Sequence, residues 1–451
     1  MSVVMKFGGT SVADPDALHR LIGIVRGQLE QTEAPPVVVV SALAGVTDRL
    51  VAVSHLAEEG EADRAVAELR GLLDRHLSVA AAMTTASRAG VVAEVRREFE
   101  ESIGLVHALA VLREVSPRSL DAVLAVGEMA SSRIVAGALA DHRIPSQWVD
   151  ARKVLVTDAE HNSAAPDMAG TCERAREWVA PSGAAGVVAV LGGFIGATAD
   201  GVTTTLGRGG SDYSAAIFGA CLDVDEIQIW TDVDGMLTAD PRIVPHPRVV
   251  PVLSFAEASE LAYFGAKVLH PSTILPAVAK DIPVRILNAR RPEGAGSRIT
   301  AEGGAPDHGL TAIACKRDVT VIDITSSRML MAHGFLRRLF EVFERFKTAV
   351  DVVTTSEVSV SVTVDDTRRI DAILDNLRNF AEAGCEGEMA IICVVGENLR
   401  SDATLFSRAV TALDRIPLRL VSQAASRRNI TFVLRDADVP HAMMRLHETF
   451  F

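Results

Sequence analysis

The chain has 451 residues, of which 48% are hydrophobic and 23% charged, the balance of a folded globular protein and not of a disordered one. At roughly 100–200 residues per domain, this length accommodates two to four domains. With 45 Lys+Arg against 58 Asp+Glu the formal charge is −13, which argues against nucleic acid held on a basic surface. An aromatic content of 4% argues equally against stacking platforms for single strands. The cysteines, Cys172, Cys221, Cys315, Cys385 and Cys393, are scattered and form no Cys-x-x-Cys pair. They read as buried thiols in a reducing compartment, not as disulfides or a zinc site.

The elements in chain order begin with an apolar strand over Val3–Phe7, which Lys6 keeps from resembling a signal peptide. Asp14-Pro15 then opens a helix, with Asp14 as N-cap, Pro15 in the first turn, and Leu18, Leu21, Ile22 and Val25 as its apolar stripe. Val37–Val40 reads as a strand buried on both faces, as in a parallel sheet. From about 47 to 113 the pattern is helical, and 122–126, 147–149, 187–191, 226–230 and 284–287 are further strand candidates. The uncharged stretch 178–199 is interrupted by Pro181 and several glycines, so it reads as helix end, loop and buried strand, not as a membrane span. No membrane partner is expected, and the cytoplasm is the expected compartment. This alternation predicts an open, mostly parallel α/β sheet with helices on both faces and a ligand site at the carboxyl edge of its strands. The glycine- and proline-containing segment 290–309 reads as a linker or surface excursion.

Beyond it, strands are expected at 319–324, 350–353, 357–364, 389–395, 418–422 and 429–433, with helices at 334–346, 370–380, 404–413 and 440–449. Two rounds of this order predict two small ferredoxin-like modules in tandem.

Four segments carry candidate chemistry. Lys6-Phe7-Gly8-Gly9-Thr10-Ser11 leaves a buried strand through a tight turn whose glycines let main-chain N–H groups approach an anion. Thr203-Thr204-Thr205-Leu206-Gly207-Arg208-Gly209-Gly210-Ser211-Asp212 places an arginine among glycines before a helix, an arrangement for gripping carboxylate or phosphate. Trp230-Thr231-Asp232-Val233-Asp234-Gly235 follows a strand but lacks the spacing of a calcium loop. Phe264-Gly265-Ala266-Lys267-Val268-Leu269-His270-Pro271 offers a lysine between helical segments. Two further segments are Ser41 to Thr47, which follows the second strand, and Gly127-Glu128, which opens a helix. The histidines show no metal-ligand spacing.

Together, and in this order, these segments resemble the aspartate kinase family within the amino-acid kinase superfamily. The tail, with Asp351 and Thr354-Thr355-Ser356-Glu357-Val358-Ser359-Val360, resembles that family's paired ACT regulatory modules. The likeness spans nearly the whole chain and is nearest the monofunctional, lysine-sensitive type. It implies an amino-acid kinase fold over 1–295, a first ACT module over 310–385, and a second over 386–451 with a strand from 310–317. The implied activity is ATP-dependent phosphorylation of the L-aspartate side-chain carboxylate to 4-phospho-L-aspartate, the first step toward lysine, threonine and methionine. Magnesium would arrive with ATP, and homodimers, or dimers paired into tetramers, would form through the ACT modules.

By the same resemblance, Lys6, Asp212 and Lys267 are the catalytic residues. Lys6 neutralises the transferring phosphoryl group, Gly8 and Gly9 donate N–H groups to it, Lys267 holds phosphates, and Asp212 orients the lysines. Arg208 takes the aspartate α-carboxylate, Glu128 its α-amino group, and Thr47 and Ser211 add hydroxyls. Lys6, Phe7, Gly8, Gly9, Thr231, Asp232, Leu237, Arg242, Lys267 and Val268 line the nucleotide, Leu237 standing where the family often has tyrosine. Met329, Gly334, Phe335, Leu336, Val350, Asp351, Thr355, Ser356 and Glu357 match the lysine-effector positions, while Met331-Ala332 replaces a common His-Ser pair. The alternatives are another amino-acid kinase, acting on glutamate or N-acetylglutamate, or a non-catalytic ACT sensor of amino acids.

Overall fold

The computed structural model describes residues 2–32, 34–265, 271–304, 309–329, 333–423 and 427–451. They fall into two units. The first holds 1–236, 251–255 and 268–303, and the second holds 237–250, 256–267 and 304–451.

In the first unit the strands are β1 (Val3–Phe7), β2 (Val37–Val40), β3 (Ser146–Val149), β4 (Val156–Thr157), β5 (Val188–Gly192), β6 (Ile195–Thr198), β7 (Thr203–Thr205), β8 (Glu226–Thr231), β9 (Val252–Ser254), β10 (Val284–Asn288) and β11 (Ser297–Thr300). Eight make one sheet in the order β3-β5-β2-β1-β8-β10-β11-β9. Its pairs are parallel except β10 with β11. β4, β6 and β7 form a separate three-stranded sheet. The first helix starts as its sequence dictates: Pro15 stands in its first turn and Asp14 accepts from the Ala17 N–H at 2.8 Å.

Two sequence expectations change here. Residues 122–126 are not a strand but the middle of the helix Pro117–Asp141, so Gly127-Glu128 lies inside a helix and does not open one. An apolar run buried on every side carries no periodicity, so helix and strand look alike. That helix is also long and apolar enough to cross a membrane, yet 89% of its most apolar window is buried inside the fold. The segment 290–309 is not merely a linker either: β11 lies within it and pairs with β10 and β9. The helices Val46–Glu58, Ala62–Met83 and Arg88–Leu112 share one apolar core with Pro117–Asp141 and the β1 side chains Val3, Met5 and Phe7.

The cysteine reading is corrected as well. Cys172, in the helix Met168–Trp178, and Cys221, ending the helix Gly210–Cys221, are joined in a disulfide with Cα atoms 4.5 Å apart. Helix packing brings the two together across 49 residues, a proximity that scattered spacing cannot announce.

The second unit is built on β12 (Ala312–Thr325), β13 (Val353–Thr355), β14 (Ser359–Val364), β15 (Glu382–Val395), β16 (Leu420–Gln423) and β17 (Asn429–Arg435), in the order β13-β14-β12-β15-β17-β16. β12 and β15 pair along nearly their whole lengths, with irregularities between Lys316 and Val321. Their 319–325 and 382–386 halves serve the module with β13, β14 and the helices Phe335–Arg345 and Ile370–Arg378. Their 312–316 and 389–395 halves serve the module with β16, β17 and the helices Ala403–Ala412 and Val439–Phe450. The first module is thus inserted within the second, and a cut at 385/386 would pass through β15. Residues 237–250 and 256–265 pack with this unit: Thr238 Oγ1 bonds His447 Nε2 at 2.9 Å, and Asn429 Nδ2 donates to Glu260 at 2.7 Å.

Candidate active site

At the carboxyl ends of β1 and β2 the first unit encloses a cavity of about 610 Å³. Lys6, the last but one residue of β1, is buried, and its Nζ lies 2.6 Å from Asp212 Oδ1. Asp212 stands in the first turn of the helix Gly210–Cys221, whose N-cap Gly209 and nearby Gly207 have φ of 72° and 75°. Those left-handed conformations suit glycine and turn Arg208 into the cavity wall. The positive end of this helix favours anions in front of it.

Glu128 reaches the cavity from the helix Pro117–Asp141, which approaches the 41–45 turn because Gly127 has no side chain. A Cβ there would stand 2.9 Å from that of Ala42. Glu128 Oε1 accepts from the Ala42 N–H at 3.0 Å, while Oε2 is buried without a partner among the described residues. Burial raises its pKa to about 8, against the lowering effect of the Ala42 N–H and the Lys6 charge. Gly192 and Gly193, which sequence reasoning did not single out, permit this geometry. A Cβ on Gly192 would lie 3.0 Å from the Glu128 carbonyl, and one on Gly193 would lie 2.7 Å from Ser211 Cβ.

Thus Lys6, Gly9, Thr47, Glu128, Arg208, Ser211 and Asp212, scattered over some two hundred residues, line one cavity. The amino acid kinase family profile matches residues 1–288 and an ACT domain profile matches 392–450. The lysine-sensitive aspartokinase 3 of Escherichia coli (strain K12) is 34% identical over 457 aligned residues, covering 100% of this chain and 99% of that protein. The chain belongs to the aspartokinase family. Aspartokinase 1, chloroplastic, of Arabidopsis thaliana is 33% identical, with 100% of this chain and 80% of the relative covered. Among solved structures, E. coli aspartokinase III in complex with aspartate and ADP (R-state) superposes with a TM-score of 0.85 at 34% identity, over 100% of this chain and 99% of that one. The same enzyme in complex with lysine and aspartate (T-state) gives 0.82, at the same identity and coverage.

Other expected aspartokinase residues stand differently. Phe7 is fully buried, its ring stacked on Trp230 at 6.1 Å on the face of the sheet opposite Lys6, so only its main chain is available to a nucleotide. The Gly8 N–H donates to the Trp230 carbonyl at 3.0 Å. β1 keeps pairing with β8 one residue further than a free anion-binding turn requires. Thr231 ends β8, with its hydroxyl 3.3 Å from Asp232, in the first unit. Leu237 and Arg242 belong to the second unit, where Arg242 is ion-paired with Asp240 at 2.6 Å and lines a cavity of about 510 Å³ with Lys316 and Arg317. Lys267, Val268 and the Met331-Ala332 pair lie outside the described residues.

Of the expected effector residues, Gly334 caps the helix Phe335–Arg345 with φ of 85°, and Met329 and Phe335 pack in that module's core. Leu336, Thr355, Ser356 and Glu357 are exposed, and Val350 is half-buried. Asp351 is not an open anion. Lys316 Nζ lies 2.8 Å from its Oδ1, and the Tyr263 hydroxyl donates to the same oxygen at 3.0 Å. Burial works against the Lys316 charge, but Asp351 and Asp365 outweigh it and raise its pKa.

Proposed function

We propose that this chain is an ATP-dependent aspartate kinase that transfers the γ-phosphoryl group to the side-chain carboxylate of L-aspartate, giving 4-phospho-L-aspartate. The observation that carries the reading is the buried Lys6–Asp212 pair in one cavity with Arg208 and Glu128. A carboxylate nucleophile with a pKa of about 4 is ionised at neutral pH and needs no general base. The remaining work is to bring two anions together and neutralise them.

In this reading Lys6 meets the transferring phosphoryl group, and Asp212 holds the Lys6 ammonium in place. The N-terminus of the helix Gly210–Cys221 and the Gly9 turn face the same charge. Arg208 grips the α-carboxylate, Glu128 takes the α-ammonium, and Thr47 and Ser211 supply hydroxyls. The nucleotide extends over Thr231 and Asp232 at the end of β8. Magnesium would come as part of the MgATP substrate, held by phosphate oxygens and water.

The relatives include a lysine-sensitive enzyme and one solved with lysine. We extend lysine control to this chain, acting through the ACT modules of a cytoplasmic homodimer or a pair of dimers, with Asp351 exchanging Lys316 for an effector ammonium. Trapping the acyl phosphate with hydroxylamine tests the reading, with aspartate, glutamate and N-acetylglutamate offered in turn while lysine and threonine are titrated. Hydroxamate from aspartate alone, suppressed by lysine, is expected. Product from another acid would move the substrate assignment, and lysine binding without any product would make the chain a sensor.

A further inference from the structure

One polar group on the cavity wall has no part in the reading above. Asn162 stands in the loop that follows β4, with a left-handed φ of 69°. It lines the same cavity as Glu128 and Arg208. Its side-chain carbonyl Oδ1 is buried without a partner among the described residues, as is Glu128 Oε2. Folded proteins seldom leave buried acceptors unsatisfied. Asn162 Oδ1, and Glu128 Oε2 once it is ionised, call for a ligand with several N–H donors, and an ammonium group has three.

The loop is held in place. Asp121, fully buried in the helix Pro117–Asp141, accepts from His161 Nδ1 at 2.7 Å, from the Asn162 N–H at 3.1 Å and from the Thr205 hydroxyl at 2.5 Å. Thr205 ends β7, two residues before Gly207. A Cβ on Gly207 would stand 2.9 Å from the Asn162 carbonyl, so Asn162 packs against the turn that carries Arg208. A single buried carboxylate therefore fixes Asn162 relative to Arg208. In an amino acid, the α-carboxylate and the α-ammonium share one carbon.

We propose that Asn162 is a specificity residue whose side-chain carbonyl accepts a hydrogen bond from the substrate α-ammonium beside Glu128, and that Asp121 is the positioning residue that sets it there. This rests on the aspartate kinase reading and adds a third substrate contact to Arg208 and Glu128. The experiment measures aspartate KM for Asn162→Gly, which removes the side chain but tolerates the left-handed backbone, and for Asp121→Asn. In parallel it measures inhibition by succinate, which is aspartate without its amine.

Loss of a hydrogen bond to a charged group should raise the aspartate KM about tenfold or more in Asn162→Gly, with the loss falling on KM rather than kcat and the succinate inhibition constant unmoved. Asp121→Asn should shift the aspartate-to-succinate ratio in the same direction. Equal losses for aspartate and succinate, or no loss for either, would overturn the proposal while leaving the kinase reading intact. A wild-type protein with no aspartate turnover would overturn both.

Discussion

Glu128 couples aspartate binding to proton release. Burial raises its pKa to about 8, so at pH 7 roughly nine in ten molecules hold it protonated. An arriving ammonium within a few ångströms favours the carboxylate and pulls that pKa down. Binding at pH 7 should then release about 0.9 proton and be weaker by ~1.4 kcal/mol, tenfold, than binding to the ionised form. Affinity should climb as pH rises toward 8 and level off above it. Titration calorimetry at pH 7 in buffers of different ionisation enthalpy reads the proton number directly. Glu128→Gln should release none and bind aspartate more weakly. A wild-type proton number near zero, or an equal number in Glu128→Gln, would refute the argument. The same raised pKa means that the contribution of Glu128 to stability is fully present below its unfolded pKa and is lost as pH rises through about 8.

Further predictions concern other parts of the chain. His76 is buried against Phe99, and burial lowers its pKa to about 4. Its unfolded form takes up a proton first, so stability falls as pH drops below 6.5. The stability difference between wild type and His76→Leu should change by ~2 kcal/mol between pH 6.5 and 5 in denaturant titrations, and parallel curves would contradict this. Cys172→Ser opens a link spanning 49 residues and should cost about 4 kcal/mol of stability under non-reducing conditions. Wild type in dithiothreitol should then match the variant, whereas an unchanged midpoint without reductant would show that the bond does not form. Lys316→Met removes the cationic partner of Asp351 and leaves it the Tyr263 hydroxyl. Half-inhibition should then need about fivefold less lysine or lower, and unchanged or weakened inhibition would refute competition between Lys316 and the effector.

Much of the site was legible because each part sits in a local pattern. Glycines beside Lys6 and around Arg208 mark turns, whereas the close approach at Gly127-Glu128 shows only once the helix is packed against the 41–45 turn. The Asp121–His161–Asn162–Thr205 cluster was not legible, because its members come from three segments and meet only after the β6–β7 hairpin folds against the helix Pro117–Asp141. The strand β11 was hidden under a composition that usually means a loop. The face to which Phe7 points was also hidden, since strand alternation does not say which side faces the cavity. The pairing of Asp351 was hidden because Lys316, its partner at 2.8 Å, lies on β12, 35 residues away.

The most direct measurement quantifies ADP and aspartyl hydroxamate in the same reaction for wild type and Lys6→Ala. The account predicts equal amounts of both products in wild type, each requiring aspartate. In Lys6→Ala both should fall by about 10²–10³-fold with the fold intact, as for loss of one preorganised charge at a transition state. ADP formed without hydroxamate, or a Lys6→Ala protein working at the wild-type rate, would contradict it.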